Sequence, residues 1–413
     1  MLNTYYRTHN ILIPNPDELK MGSTKQYVTS ALTIAPESGT YWNMVVLDFE
    51  SLYPGIIDVY NLSYETISCP HQDCQNNLVP GLDYHICRKR RGIYSAIVGA
   101  IRDLRIHHFK PLTKTSQQES QEHKVAKAAT QILKLLLVSS YGVTIRIRGL
   151  ASPLLGEAIT AHGRHVLQST FDLAKDKGLY PKYGDTDSVF LDNPSEKDTQ
   201  QFIQEVKDKF GLELAYDRRY AVCVLSAAKK AYFGILPNGK FEIKELTVTK
   251  SNSPRFFLET FQKCLAKLSE GRKSTQDFEL AKGEVQAIVK ESLDKLKHGQ
   301  VPLEELEYRV EIREDPVVKS QARTMPQPYQ AALLLREKGQ RISKRESVGF
   351  VKVHPFKHKG RTFTVKPLSQ TSISEVNVED YVRNLSTSLS QTVEPMGIRL
   401  KGERETTLSE FAG

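Results

Sequence analysis

The chain has 413 residues, enough for two or three packed substructures, and its 39% hydrophobic and 25% charged residues are those of an ordinary globular protein. No uninterrupted apolar run approaches a membrane span, the start Met-Leu-Asn-Thr-Tyr-Tyr-Arg has no apolar signal core, and five cysteines are too few for a disulfide-built scaffold, so a cytoplasmic protein is expected. Lys and Arg number 57 against 48 Asp and Glu; the formal charge of +9 favours polyanionic partners without identifying one.

In chain order, residues 1–39 carry the turn formers Pro14, Pro16 and Gly22 and read as a lead-in segment. Met44-Val45-Val46-Leu47 is a short apolar run suited to a buried strand that ends at Asp48. Residues 92–113 and 120–141 predict two helices. The second holds Ala126, Ile132, Leu133, Leu136 and Leu137 at three- and four-residue spacings, and the polar stretch 113–118 makes the tip of a helical hairpin. Residues 157–175 predict a further amphipathic helix closed by Gly178, and 180–192 a strand, turn and strand around Gly184-Asp185-Thr186-Asp187. Beyond Pro254 the pattern is helical and charged to about 297. A mixed segment with a basic centre at 339–345 follows, and then a polar, flexible tail.

The carboxylates carry the chemistry. Asp48 closes an apolar strand, and Asp185 and Asp187 flank Thr186 in a turn. Carboxylates converging from neighbouring strands repel unless a divalent cation sits between them, and hard oxygen ligands with open positions suit Mg²⁺. Two such ions can activate a hydroxyl and neutralise a leaving pyrophosphate. Taken alone, Asp-Thr-Asp reads equally well as a turn residue and a solvated strand end.

The surroundings decide between these. Asp48-Phe49-Glu50-Ser51-Leu52-Tyr53-Pro54-Gly55 resembles the first signature of family B DNA polymerases. Lys134-Leu135-Leu136-Leu137-Val138-Ser139-Ser140-Tyr141-Gly142 resembles the second, and Tyr183-Gly184-Asp185-Thr186-Asp187-Ser188 the third, in the expected order. Ala158-Ile159-Thr160-Ala161-His162-Gly163-Arg164 looks like the family's palm helix, and Lys229-Lys230-Ala231-Tyr232-Phe233-Gly234 like its duplex-binding motif. The likeness, closest to archaeal replicative enzymes, runs from about Asn10 to near residue 398. Val138 and Ser140 depart from it, at positions where the family often has Asn and an aromatic.

The resemblance implies an α+β right-hand polymerase. Its parts would be the lead-in at 1–39, an antiparallel palm sheet at 40–90 and 144–255, helical-hairpin fingers at 91–143, a mostly helical thumb at 256–398 and a tail at 399–413. Asp48, Asp187 and, more weakly, Asp185 would be catalytic and hold two Mg²⁺ ions, with Phe49 contributing through its backbone. Ser51, Leu52, Tyr53, Arg105, Lys110, Lys134 and Tyr141 would bind the dNTP, Tyr53 excluding a 2′-hydroxyl. The family sets its Arg and Lys one helical turn apart, whereas Arg105 and Lys110 are five apart. Gly142, Thr160, Arg164, Lys229, Lys230 and Tyr232 would contact the primer–template DNA. The family's exonuclease domain precedes the matched region, so proofreading is not expected here. A second polypeptide carrying that N-terminal half is an expected partner; no membrane is.

Two features stand outside the catalytic reading. Cys69, Cys74 and Cys87, with a histidine such as His85, could bind structural Zn²⁺, form a disulfide or stay reduced. The end Glu405-Thr406-Thr407-Leu408-Ser409-Glu410-Phe411-Ala412 resembles a degenerate sliding-clamp peptide, and reads equally as a tail with no partner.

Overall fold

The computed structural model describes Thr4, Arg7, Thr8, Asn10 and residues 28–146, 151–320 and 324–400. Residues 11–27, in the lead-in, and the clamp-like segment 405–412 lie outside the described residues. The chain divides into two compact units, residues 1–35 with 44–218 and residues 36–43 with 219–413.

The first unit contains β1 (Thr33–Ile34), the part of β2 (Gly39–Phe49) from Met44 on, β3 (Tyr180–Asp185) and β4 (Ser188–Asp192). These run antiparallel in the order β1-β3-β4-β2. Val45, Leu47 and Phe49 alternate along β2 into one core with Val189 and Leu191 of β4. Register then does the positioning: Ser188 of β4 stands opposite Asp48 on one side and Asp185 on the other.

Behind the sheet lie α1 (Leu52–Val59) and α5 (Pro153–Asp176), with α6 (Glu196–Phe210). Helix α5 starts where Ser152 Oγ accepts a hydrogen bond from Leu155 N at 3.3 Å and Pro153 takes the first turn. Gly163 lets α1 approach, since a β-carbon there would lie 2.9 Å from the Tyr53 ring. Leu155, Ile159, Val166 and Leu167 of α5 pack against Ile56 and Ile57 of α1.

Between α1 and α5 the chain makes a helical hairpin. One arm runs through α2 (Ile93–Asp103), a π-helical segment (Leu104–Phe109) and α3 (Lys110–Thr115); the other is α4 (Gln121–Arg146). Among the described helices, α4 alone is long and apolar enough to cross a membrane by length and composition. Here it is a hairpin arm, and Ile132, Leu135, Leu136 and Val138 on it are exposed.

The second unit begins with an antiparallel meander of β5 (Leu214–Leu225, from Arg219 on), β6 (Tyr232–Ile235) and β7 (Phe241–Lys244). Helices α7 (Arg255–Glu270) and α8 (Thr275–Lys297) share its core through Phe257, Phe261, Phe278 and Val285. The mixed segment that follows forms a sheet of β8 (Tyr308–Glu311), β9 (Ser347–His358) and β10 (Arg361–Lys366), ordered β10-β9-β8. Helices α9 (Pro316–Ser320), α10 (Gln327–Glu337) and α11 (Val378–Val393) complete the unit.

Candidate active site

A cleft of about 570 Å³ in the first unit is lined by the ends of β2 and β4's preceding turn, the start of α1, and the two hairpin arms. Asp48 and Asp187 stand on one side of it, and Arg105, Lys110 and Lys134 also line it. The carboxylates are brought together by the strand register and by Phe49 N, which donates to Asp187 O at 2.8 Å. Burial, then the charge of Asp187, pushes the Asp48 carboxyl up to about 7. Asp217 and Glu50 add to the repulsion and the Arg218 guanidinium opposes it.

Two bends sit beside these carboxylates. Ser51 has φ 61° and Thr186 has φ 57°, a left-handed conformation that is an outlier for a β-branched residue. The bend at Ser51 lies between β2 and α1, and Ser51 and Leu52 line the cleft there. The bend at Thr186 holds Asp187 N on Asp185 O at 2.6 Å and Thr186 N on Leu32 O at 3.0 Å. Asp185 itself turns toward β1, its Oδ1 accepting from Thr33 Oγ1 at 2.9 Å, and does not line the cleft.

The five-residue spacing of Arg105 and Lys110 has a structural answer. They lie in and just after the π-helical segment, whose wider turn places residues five apart on one side. Arg105 Nη1 donates to Ser51 Oγ at 3.2 Å and Lys110 Nζ donates to Glu50 Oε1, neighbours at the cleft's edge. From α4, Lys134, Leu137, Val138 and Tyr141 line the cleft at the spacing of a single helical face. Tyr141 meets Tyr53 with ring centroids 4.9 Å apart at 45°. Burial foremost, with Tyr141 and Asp187 adding, pushes the Tyr53 phenol up to about 12, so it stays neutral.

Glu50, Tyr216 and Asp217 complete the lining. Sequence reasoning missed Tyr216 and Asp217, and placed Glu50 only through its backbone, within the Phe49–Leu52 stretch expected to cradle the triphosphate. Of the expected DNA contacts, Thr160 is buried in α5, its hydroxyl accepting from Arg164 Nη1 at 3.2 Å. Arg164 also pairs with Glu157 at 3.1 Å and donates to the carbonyls of Thr29 and Ser30. Gly142 is open on its Cβ side. Lys229 and Lys230 are exposed between β5 and β6 in the second unit, with Lys230 at φ 68° and Tyr232 opening β6.

A sequence model described as DNA polymerase family B matches residues 1–396. The chain belongs to DNA polymerase family B. It is 33% identical to DNA polymerase 1 of Sulfurisphaera ohwakuensis over 96% of this chain and 46% of that protein. With DNA polymerase 1 of Aeropyrum pernix the identity is 30%, over 95% of this chain and 41% of the relative. The family B DNA polymerase of Pyrobaculum calidifontis shares the fold, with a TM-score of 0.70 at 24% identity over 97% of this chain and 51% of that one. The chain therefore spans about half the length of the curated relatives it matches. Within the family B framework, the mixed helix and antiparallel-sheet architecture is the expected one.

Away from the cleft, Cys69, Cys74 and Cys87 are buried together in a cluster of their own. The imidazole converging with them is His71, and the four ligand atoms all lie within 4.8 Å of one another. His85, the histidine singled out from the sequence, sits beside them instead, its Nε2 3.0 Å from Cys69 O and 3.6 Å from Cys69 Sγ. All five cysteines of the chain are unpaired thiols.

Proposed function

We propose that the chain is the catalytic core of a DNA-directed DNA polymerase, adding a nucleotide from a dNTP to the 3′-hydroxyl of a primer on its template. One observation carries the reading: four acidic groups, Asp48 and Asp187 among them, and three cations share a single cleft that the start of a helix also lines. The donor set fits divalent cations. Glu50 Oε2 is buried without a hydrogen-bond partner, and burial first, then its acidic neighbours, pushes the Asp48 carboxyl up to about 7 when no cation offsets them. Asp48 and Asp187 would hold two Mg²⁺ ions, with Asp185 and the Phe49 backbone as lesser contributors; when bound, such ions lower the pKa of an attacking hydroxyl and neutralise phosphate oxygens.

The chain's own residues do the rest. The N–H groups at the start of α1 and the Ser51 hydroxyl face a triphosphate, whose charge Arg105, Lys110 and Lys134 offset. For Lys110 this means exchanging its Glu50 partner for phosphate. Tyr53, held on Tyr141 and against Gly163, forms a fixed floor under the sugar and leaves no room for a 2′-hydroxyl. The α2–α3 and α4 hairpin, as fingers, would close over the nucleotide and exclude water. Lys229, Lys230 and Tyr232 in the second unit, and separately Gly142 and Arg164 in the first, would contact the primer–template through its backbone, with the buried Thr160 supporting Arg164 rather than touching DNA. Proofreading is not among the duties proposed for the residues described.

The test is extension of a labelled primer–template with Mg²⁺ and dNTPs by the native chain and by Asp187→Ala. Extension by the native chain and its loss in the variant is the expected outcome. A second reading, a DNA-binding subunit active only with a polypeptide bearing the N-terminal half, is favoured by the 46% coverage of the relatives. Tight DNA binding without extension by the native chain would select it. Binding of a sliding clamp through 405–412 belongs to either reading.

A further inference from the structure

We propose that Cys69, His71, Cys74 and Cys87 form a structural zinc site that locks the connection between the catalytic strand–helix junction and the hairpin. Three thiols and one imidazole meet at one point, with every ligand atom within 4.8 Å of the others. A tetrahedral S₃N zinc with bonds of about 2.3 Å to sulfur and 2.0–2.1 Å to nitrogen sets its ligand atoms roughly 3.5–3.8 Å apart. Cys87 Sγ and His71 Nδ1 are already 3.4 Å apart. Little movement is needed to close the other edges on a common centre.

Four groups argue for an ion over a disulfide. A bond between any two sulfurs would leave the third thiol and the imidazole crowded against it with no role. The surroundings also suit a centre of net negative charge, which three thiolates and one Zn²⁺ produce. Arg88 N donates to Cys74 Sγ at 3.3 Å, the kind of backbone donor that stabilises a metal-bound thiolate. Arg88, Lys89, Arg90 and Arg91 follow Cys87 directly. The three cysteines form a small buried cluster of their own, apart from the main core that Val79 and Ile86 of the same segment join.

The site's location gives it a purpose. Asn61, two residues beyond α1, donates through Nδ2 to the carbonyls of Cys87 and Arg90, both at 2.8 Å, and accepts from Gly92 N at 2.7 Å. Arg91 then pairs with Asp58 of α1, as does Arg102 of α2 at 2.7 Å. Fixing Cys87 therefore fixes where α1 ends and the hairpin begins, at a distance from the carboxylates.

Metal analysis of the full chain, purified without chelators, tests this. The expected result is one zinc per chain in the native protein and in Asp187→Ala, and its loss in Cys74→Ser and in His71→Ala. Since either variant could simply misfold, Co²⁺ exchange into the native chain gives a second reading: thiolate-to-metal charge-transfer bands with tetrahedral ligand-field bands are expected. Alkylation should spare the three cysteines until a strong chelator is added. A zinc-free native chain with two of them joined, seen as resistance to alkylation until reduction, would overturn the proposal. So would zinc retained in both Cys74→Ser and His71→Ala.

Discussion

Helices α4 and α5 follow one another in the chain and are nearly equal in length, yet α4 buries four of its 26 residues and α5 fourteen of its 24. Both carry long apolar side chains. The difference lies in what surrounds them: α5 runs behind the sheet with α1 against it, whereas α4 stands out as one arm of a hairpin. Leucines at 135 and 136 are 71% and 44% exposed, while Leu155 and Leu167 are fully buried. Apolarity alone thus does not mark a core helix. In this unit one helix is scaffold and the other is working surface, with Lys134, Leu137, Val138 and Tyr141 aimed at the cleft.

The comparison can be broken most sharply in the scaffold. Phe171→Ala in α5 removes a side chain that is 5% exposed and should destabilise the protein by about 3–5 kcal/mol, read by denaturant unfolding. A loss under about 1 kcal/mol would mean that α5 is not load-carrying in the way its burial indicates. On the working surface, Lys134→Ala should leave unfolding nearly unchanged but weaken dNTP use by about 1.5–3 kcal/mol, the value of a charge-assisted contact. Single-nucleotide kinetics would show this as a raised KM, and an equal drop in stability would remove the distinction between the two helices.

A further effect separates the cleft from the scaffold by pH. When exposed in the unfolded chain the Asp48 carboxyl titrates at 3.8, and in the folded chain at about 7. Between those values the folded state holds a proton that the unfolded state has lost. Its contribution to metal-free stability therefore falls as pH rises through this window and levels off above it. Melting in EDTA across pH 4–8 should show that downward slope in the native chain and less of it in Asp48→Asn. The smallest effect expected is that of Leu135→Ser on α4, within about 0.5 kcal/mol of the native stability; a larger loss would reveal a packing partner for that face.

Much of the first unit was legible from sequence because its signals are local. The apolar run before Asp48 became the end of β2, the polar stretch 113–118 covers the end of α3 and the start of the gap before α4, and Gly178 closes α5 with φ 70°. Ordered signatures then brought Asp48, Asp187, Tyr53, Lys134 and Tyr141 to one cleft. What sequence could not give was set by packing at a distance. Asp217 enters the site from a strand with no acidic signature, and His71 outranks His85 because the turn around residues 72–74 folds it back on Cys87. The sheet of β8, β9 and β10 was read only as a mixed segment: β9 and β10 form a local hairpin, but β8 pairs with β9 across 35 intervening residues.

The π-helical segment has a consequence for how the hairpin counts its residues. An α-helix turns by about 100° per residue, so one unit more or less in a regular arm would rotate everything beyond it by that angle. Here the surplus is confined to Leu104–Phe109, and the arm resumes at Lys110 with its side chain still over Glu50. Deleting a single residue other than Arg105 from 104–109 would return the arm to an even ruler with Lys110 still over the cleft, whereas deleting one from the regular turns of α2 would swing Lys110 by about 100°.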